Sequence, residues 1–350
     1  MESQATAAAE SGWLAVSPPA KLNLFLEVTG RRDDGFHDLD MVMVGVDWRD
    51  ELKIRRVPSP GVRLTAMWLP DRQSVASQLG LAKVPPGDPR ASVLEIPTDE
   101  RNLVARALAA MTDICQLQGG WEVVLGKRIP SGAGMGGASS DAAAAIRLAV
   151  TLIAREFVAV PDHPIHDLAW RERTQKDLAL EIGSDVPFFF QTDPVCRAQG
   201  RGERLTPVSI PQSLHFVVVY PPESISTAEV YKRLGLSADQ PRPPWQPKPA
   251  DDLILALQHG ETREIPLTWV NRLQPAARGL SSRIDEAIEC FQHAGNHTAM
   301  MTGSGSACFA LVDSAQQAVL MASRMRQTIG QQALIQPVAS CPPSSPIANA

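Results

Sequence analysis

Apolar and polar residues alternate along several short stretches of this chain, as they do in strands that bury one face. Between residues 21 and 28, Leu22, Leu24, Leu26 and Val28 occupy every second position. Further strands are predicted over residues 39–47, 51–56, 121–125, 195–199, 214–220, 298–301 and 308–312. The chain is therefore expected to contain many short strands, distributed over most of its length.

Apolar positions repeat at helical spacing in three segments, residues 102–117, 176–182 and 280–291. Three other stretches are rich in proline or in charge and show no period. We interpret residues 58–97 as an insertion or long loop and residues 155–173 and 240–249 as irregular loops. The two ends of the chain, residues 1–16 and 338–350, are predicted to be disordered tails.

Composition excludes several classes of protein. With 350 residues the chain can form two domains, and its formal charge of −5 gives no basic field for nucleic acid. Five scattered cysteines, none in a C-x-x-C pair, argue against a disulfide framework or a structural zinc site. The sequence shows no apolar run long enough for a membrane span and no basic targeting segment at its start. We therefore expect a cytoplasmic protein without a membrane or nucleic-acid partner.

A glycine-rich segment, Pro130 to Asp141, is the strongest chemical signal in the sequence. Gly132, Gly134, Gly136 and Gly137 allow positive φ and close approach of a ligand. The Ser-Ser-Asp-Ala sequence that follows predicts a helix start. A glycine-rich loop that leads into a helix N-terminus presents unpaired N–H groups, which bind phosphate.

Two other phosphate-binding motifs fit this segment less well. Gly132-x-Gly134-x-x-Gly137 matches the dinucleotide fingerprint, but no second strand ending in an acidic residue follows at the required distance. No Gly-Lys-Ser/Thr follows the glycines, so the Walker-A pattern is absent from the sequence. A bound nucleotide is therefore expected to be held by backbone N–H groups and serines.

Two charged residues stand in unusual positions. Asp185 lies in a turn before three phenylalanines and is, by position, either a helix-end cap or a functional acid. Lys21 lies inside an otherwise apolar strand and is either a strand-entry lysine or a functional cation. The residue pattern alone leaves both alternatives open.

Four segments, in this order, resemble the GHMP small-molecule kinases: residues 19–24, 130–144, 182–189 and 301–307. Residues 29–39, 199–205 and 271–275 extend the resemblance, which covers most of residues 17–335. It implies an α+β fold of two domains, an N-terminal ribosomal-S5-like ATP domain (residues 17–209) and a C-terminal ferredoxin-like domain (residues 210–337), with the substrate between them. A monomer or weak homodimer is expected.

The resemblance also implies the roles of individual residues. Asp185 would accept the proton of the reacting hydroxyl and Lys21 would stabilise charge beside it. The loop residues that would hold the phosphates of ATP are Pro130, Gly132, Gly134, Gly136, Gly137, Ser139 and Ser140, with Ser139 or Ser140 as a contact for magnesium. The substrate residues would be Asn23, Phe36, His37, Thr227, Tyr231, Gly303 and Ser304.

The implied reaction is phosphorylation, by ATP and Mg²⁺, of the 2-hydroxyl of a cytidine diphosphate-linked methylerythritol. Phe36 and Tyr231 would enclose the cytosine ring and His37 would hydrogen-bond its edge. Two alternatives remain open, another GHMP kinase of the homoserine or mevalonate type and an inactive nucleotide-binding regulator. A substrate of the homoserine or mevalonate type has no ring on which Phe36, His37 and Tyr231 could stack. An inactive nucleotide-binding regulator needs neither Lys21 nor Asp185.

Overall fold

The computed structural model describes residues 12–85, 87–236, 242–329 and 332–349. Its strands are β1 (Leu14–Val16), β2 (Pro19–Arg31), β3 (His37–Arg49), β4 (Glu51–Val57), β5 (Gly61–Trp68), β6 (Gly120–Lys127), β7 (Val195–Gly200), β8 (Arg204–Pro207), β9 (His215–Tyr220), β10 (Val270–Asn271), β11 (Met300–Met301), β12 (Cys308–Val312), β13 (Leu334–Ala339) and β14 (Ala348–Asn349).

Its helices are α1 (Arg72–Gln78), α2 (Leu103–Ile114), α3 (Gly137–Glu156), α4 (Leu168–Ile182), α5 (Thr227–Arg233), α6 (Asp251–His259), α7 (Ile265–Thr268), α8 (Gln274–Arg278), α9 (Arg283–His293) and α10 (Ala315–Ile329). Three 3₁₀ segments span Pro89–Leu94, Pro164–His166 and Val186–Phe190. The strands and helices predicted from periodicity are confirmed, with ends that shift by up to three residues, except that the helix predicted over residues 176–182 begins at Leu168.

The strands form three sheets. Two of them have five strands, in the orders β14-β1-β4-β6-β5 and β10-β2-β3-β7-β8. The third has four strands in the order β11-β12-β9-β13, all antiparallel. In chain order this sheet and its helices follow the βαββαβ pattern, so the ferredoxin-like topology expected for the C-terminal part is confirmed.

Strand β2 is buried along nearly its whole length. A bulge lies between Asn23 and Phe25, where the pairing with β3 shifts register. Because a bulge reverses which face each later residue occupies, Leu22 and Leu24 pack in one core cluster whereas Leu26 and Val28 pack in the other. The alternation of apolar and polar residues in the sequence therefore does not indicate that this strand contributes to two cores.

The polar positions of β2 are buried as well. Lys21 is 3% exposed, Asn23 1% and Glu27 0%. Glu27 receives two hydrogen bonds of 2.7 Å from Arg272, which follows β10. Since β10 pairs in parallel with β2, this ion pair fastens the segment that follows β10 to strand β2.

Several predictions about irregular segments are wrong. Residues 58–97 contain β5 and α1, and β5 pairs in parallel with β6 through all of its residues. Helix α4 begins at Leu168, where the sequence predicted a loop to residue 173, because Asp167 caps it by accepting from the N–H of Ala169. Strand β5 lies at the edge of its sheet, and α4 buries only Leu178, Ala179 and Ile182, so neither segment shows a regular apolar pattern.

The prediction of disordered ends is also wrong where the structure describes them. Residues 14–16 form β1, and β14 in the C-terminal tail pairs with it. The Cys341 N–H donates to the carbonyl of Gly45 at 2.8 Å, and Ser345 is buried. Proline-rich composition lowers periodicity without preventing backbone pairing. Residues 1–11 and Ala350 lie outside the described residues.

Helix α3 is the one helix in the described part of the chain that is long and apolar enough to cross a membrane. Thirteen of its residues are buried against sheet and helix neighbours, including its alanine run from residue 142 to residue 145. It is therefore the core helix of this fold. Its N-terminus points at the functional cleft.

Candidate active site

The glycine-rich loop ends in a helix N-terminus that is open to a ligand. Gly132, Gly134 and Gly136 have φ of 66°, 74° and 68°, a region that side chains other than glycine rarely adopt. Helix α3 begins at Gly137, and no side chain in the described residues caps it. The predicted helix start is confirmed, and Ser139, Ser140 and Asp141 lie within the first turns of the helix. Its first N–H groups are free for an anion.

Two glycine loops from distant parts of the chain touch at this point. A Cβ at Gly134 would lie 2.2 Å from the carbonyl oxygen of Thr302, and one at Gly303 would lie 2.7 Å from the carbonyl oxygen of Gly134. The N–H of Ala307 also donates to the carbonyl of Ala133 at 3.2 Å. The loop therefore requires glycine both for its backbone conformation and for this close packing.

We expect Gly134→Ala to raise the KM for ATP by about tenfold or more, which corresponds to about 1.4 kcal/mol. The new methyl group would force the loop away from Thr302, and alanine is disfavoured at positive φ by about 1–2 kcal/mol. Gly61→Ala is the matched control, because Gly61 has φ of 88° but nothing within 4 Å of the added Cβ. Steady-state kinetics should show an unchanged KM for ATP in the control. Equal effects of the two variants would contradict the close-packing argument.

Lys21 and Asp185 come together at the mouth of this loop. The Lys21 Nζ lies 3.6 Å from an Asp185 carboxylate oxygen and donates to Asn23 Oδ1 at 2.5 Å. The Lys21 backbone N–H donates to the carbonyl of Met135 at 2.9 Å, which ties β2 to the glycine loop. Lys21 is buried while the Asp185 side chain is 32% exposed, so the carboxylate can reach a bound molecule. A partly exposed carboxylate and a buried cation therefore stand beside the glycine-rich loop.

Aromatic residues line the opposite side of the cleft. His37 stacks on Tyr231 with ring centroids 4.6 Å apart, and the Arg201 guanidinium lies 3.6 Å above the Phe36 ring. Burial, with a smaller contribution from Arg31, lowers the pKa of His37, so its imidazole is neutral at neutral pH. Its buried Nε2 has no hydrogen-bond partner among the described residues. The cleft thus offers flat faces and an unused hydrogen-bonding atom.

Tyr231 keeps its hydroxyl proton. Burial and then the nearby Asp185 carboxylate raise the pKa of this phenol above its usual range. Thr227 begins the same helix, α5, and its Oγ1 lies 2.8 Å from Ser304 Oγ. This hydrogen bond joins α5 to the second glycine loop, so the two substrate-side segments are positioned together.

The sequence reasoning missed the residues that position these groups. The Asn271 amide donates to the carbonyls of Met301 at 2.7 Å and Gly303 at 2.9 Å, and the Thr302 hydroxyl accepts from the Asn23 backbone N–H at 2.9 Å. Asn271 lies in the segment of residues 271–275 that extends the family resemblance, but the resemblance implies no role for it. Because both contacts join segments far apart in the chain, no local pattern indicated them.

A buried charge cluster lies beneath the glycine loop. Lys127 donates to Asp141 at 2.7 Å and to Asp50, while Asp50 also accepts from the Ile129 backbone N–H at 2.9 Å. Burial alone would lower the pKa of Lys127, but the two carboxylates outweigh it and raise that pKa. Burial, opposed by Lys127, raises the pKa of Asp141 to about 7. Asp141 is thus a structural partner of Lys127.

The predicted site residues surround one cleft of about 910 Å³. Its lining includes every predicted catalytic, phosphate and substrate residue except Ser140, which is buried beneath the loop: Lys21, Asn23, Phe36, His37, Pro130, Gly132, Gly134, Gly136, Gly137, Ser139, Asp185, Thr227, Tyr231, Gly303 and Ser304. This volume is in the range of small-molecule sites.

Comparisons with known proteins agree with this geometry. Models of the GHMP kinases N terminal domain and of the GHMP kinases C terminal region match residues 102–191 and 257–330. A 4-diphosphocytidyl-2-C-methyl-D-erythritol kinase of Rhodopirellula baltica is 49% identical over 95% of this chain and 97% of its own length. The enzyme of that name from Deinococcus radiodurans is 35% identical over 88% of this chain and 87% of its own length.

Solved structures extend the similarity to the whole fold. The crystal structure of a 4-(cytidine 5'-diphospho)-2C-methyl-D-erythritol kinase aligns with a TM-score of 0.63 and 27% identity, covering 93% of this chain and 99% of the other. The crystal structure of a homoserine kinase from Cytophaga hutchinsonii aligns with a TM-score of 0.62 at 18% identity, over 96% of this chain and 98% of the other. The second likeness is one of fold alone.

Proposed function

Since this chain belongs to the 4-diphosphocytidyl-2-C-methyl-D-erythritol kinases within the GHMP kinase family, we propose that it transfers the γ-phosphoryl group of ATP to the 2-hydroxyl of 4-diphosphocytidyl-2-C-methyl-D-erythritol. It has the two-domain α+β GHMP kinase fold and is an ATP-dependent small-molecule kinase of non-mevalonate isoprenoid biosynthesis. The observation that carries the proposal is the Lys21–Asp185 pair, which faces the glycine loop and the His37–Tyr231 stack across one cleft.

In the proposed reaction Asp185 accepts the proton of the 2-hydroxyl as its oxygen attacks the phosphorus. A positioned base of this kind contributes about 10²–10⁴-fold to rate. The Lys21 ammonium, held by Asn23, stabilises negative charge at the reacting oxygens. Most of the remaining catalysis comes from alignment, because phosphoryl transfer requires the acceptor oxygen and the phosphate chain in line.

The glycine loop fits the phosphates of ATP. The free N–H groups at the start of α3 and the positive end of the helix dipole face the cleft, and the glycines leave room for close approach. Ser139 lines the cleft with a hydroxyl, so of the two predicted serines it is the one we propose as a magnesium contact. The described residues hold no cluster of three or more His, Cys, Asp or Glu, so the phosphates would supply most ligands.

The substrate side of the cleft suits a pyrimidine nucleotide. Tyr231 and Phe36 offer ring faces, and the free Nε2 of neutral His37 can pair with the edge of cytosine. Asn23 and Thr227 also line the cleft, and we propose that they contact the sugar alcohol. The aromatic pocket is the feature that favours a cytidyl substrate over a smaller alcohol such as homoserine or mevalonate.

The function is tested by measuring ADP release with ATP, magnesium and 4-diphosphocytidyl-2-C-methyl-D-erythritol. Homoserine, mevalonate and galactose are assayed in parallel. We expect turnover with the cytidyl compound alone. Turnover with one of the other alcohols would overturn the substrate assignment, and nucleotide binding without any turnover would favour an inactive nucleotide-binding regulator.

We expect Tyr231→Ala to raise the KM for the cytidyl substrate, because stacking contributes about 1–3 kcal/mol per base. The KM for ATP should stay within about twofold. Phe36→Ala should have the same direction of effect, since its ring lines the same side. Lys232→Ala, which changes a neighbouring cleft residue without removing an aromatic face, serves as the control. A rise confined to the KM for ATP would reverse the assignment of the two ends of the cleft.

A further inference from the structure

A second cavity, of about 790 Å³, lies outside the catalytic cleft. It is formed where the end of β3, the turn after β5 and helix α1 meet helix α10 and strand β13. Among the described residues it shares no lining residue with the catalytic cleft. It therefore joins the N-terminal sheet region to the C-terminal sheet, at a distinct place from the chemistry. Its lining residues are Asp47, Trp48, Arg49, Leu69, Pro70, Val75, Gln78, Arg128, Arg326, Ala333, Leu334, Ile335 and Gln336.

Three arginines and one acid give this cavity a net positive lining. Arg128 is paired with the exposed carboxylate of Glu51 at 2.8 Å. Arg49 donates to Ser17 O at 2.9 Å and Ser345 Oγ at 2.7 Å, and Arg326 donates to Ile335 O at 2.5 Å. Within the described chain, neither of these last two arginines is paired with a carboxylate.

Those hydrogen bonds leave part of each guanidinium unused. Each guanidinium has five N–H donors in a planar fork, which matches phosphate oxygens in pairs. The lining acid, Asp47, accepts from the backbone N–H of Ala339 at Oδ1 (2.7 Å) and keeps its negative charge, which the three lining arginines exceed by two. An anion of two or more charges would therefore find donors in this cavity with little opposing charge.

The rest of the lining is apolar. Trp48, Val75, Leu334 and Ile335 line it with largely buried side chains, and Leu69 and Pro70 lie in the turn that follows β5. Such walls favour a hydrocarbon group, whose burial contributes about 25 cal/mol per Å² of apolar surface removed from water. A free inorganic anion would leave this surface unused.

We propose that this cavity binds an organic phosphate or diphosphate that carries a short hydrocarbon body. The phosphate oxygens accept from Arg49 and Arg326, and the hydrocarbon packs on Trp48, Val75 and Leu334. Because β3 and α10–β13 belong to different sheets, the bound molecule would bridge the two halves of the protein.

The test is isothermal titration of the full-length protein with 3-methylbut-3-enyl diphosphate, with inorganic pyrophosphate and with 3-methylbut-3-en-1-ol, each in the presence of saturating ADP and magnesium. The nucleotide fills the phosphate loop, so that binding of the probe there is suppressed. We expect the diphosphate ester to bind at least about tenfold more tightly than either fragment. Equal binding of pyrophosphate would overturn the hydrocarbon part of the proposal, and no binding of the ester would overturn it entirely.

Two variants locate the binding. Arg326→Gln removes a guanidinium from an exposed helix position, and Gln78→Trp places a large ring at the exposed edge of the cavity. Both should weaken binding of the ester at least about tenfold, while the KM for ATP and kcat stay unchanged. Arg90→Gln, at an exposed arginine outside the cavity, is the control and should bind normally. Unchanged ester affinity in both cavity variants, or loss of binding in the control, would refute the assignment.

Discussion

Asp185→Asn is expected to lower kcat by about 10²–10⁴-fold while the affinity for ATP stays within a few-fold. Asparagine keeps the size of the side chain and its place beside Lys21, but it cannot accept the hydroxyl proton. The loss should therefore appear in the chemical step. Stopped-flow measurement of a single turnover, together with equilibrium titration of ATP, separates the two quantities.

A carboxylate that lies outside the cleft supplies the control for this experiment. Asp177 is exposed on helix α4, which precedes the Asp185 turn, so Asp177→Asn changes the same charge without touching the site. Its kcat should equal that of the parent. Near-normal turnover of Asp185→Asn would exclude Asp185 from proton transfer and leave Lys21 with the loop as the catalytic groups.

Lys127→Met is expected to lower the free energy of unfolding by about 3–5 kcal/mol, the cost of breaking a buried ion pair by removing one partner. The variant would leave Asp50 and Asp141 buried together without their shared cation. Asp141 Oδ1 has no partner within the described residues, so it gains no compensating hydrogen bond. Urea unfolding at neutral pH measures the change, and Lys53→Met, at an exposed position of β4, provides the control.

The decrease in the free energy of unfolding caused by Lys127→Met should depend on pH. Burial already raises the folded-state pKa of Asp141 above the unfolded value near 4, and removal of Lys127 takes away the cation that opposes this rise. The folded variant then binds more protons than the unfolded chain between these pKa values, so its stability falls as pH rises through this range. The difference from the parent should be smaller at pH 5 than at pH 8. A deficit that is constant with pH would show that lost packing, rather than unpaired charge, causes the instability.

The glycine loop and the aromatic residues show which features of the site local sequence can predict and which it cannot. Gly132, Gly134 and Gly136 indicated a phosphate loop because positive φ is a property of the residue itself, and the backbone adopts it here. The resemblance implies that Phe36 and Tyr231 stack on the cytosine ring, which stays a prediction, but it does not indicate which residues these rings contact in the folded chain. Tyr231 packs on His37, while the Phe36 ring is covered by Arg201. Which faces meet is decided by the packing of α5 against β3, and the chain order does not reveal it.

In the proline-rich segments, hydrophobic periodicity fails to predict elements that are present in the structure. Residues 58–97 and the C-terminal tail lack hydrophobic periodicity, yet the first contains strand β5 and helix α1, and the second pairs through β14 with β1. An edge strand gains its hydrogen bonds from a neighbour that is distant in the chain. Its own pattern of residues therefore need not show that it is a strand.

By itself the sequence determined the elements and the chemical groups of this protein: the alternation of β2, the phosphate-binding loop before α3, and the identity of Lys21 and Asp185. The tertiary structure alone decided three further things. It placed Lys21 within 3.6 Å of Asp185, turned β2 through a bulge so that it faces two cores, and buried Lys127 between Asp50 and Asp141. Periodicity and glycine content act within a few residues, whereas ion pairs and register form between segments that meet only when the sheets pack.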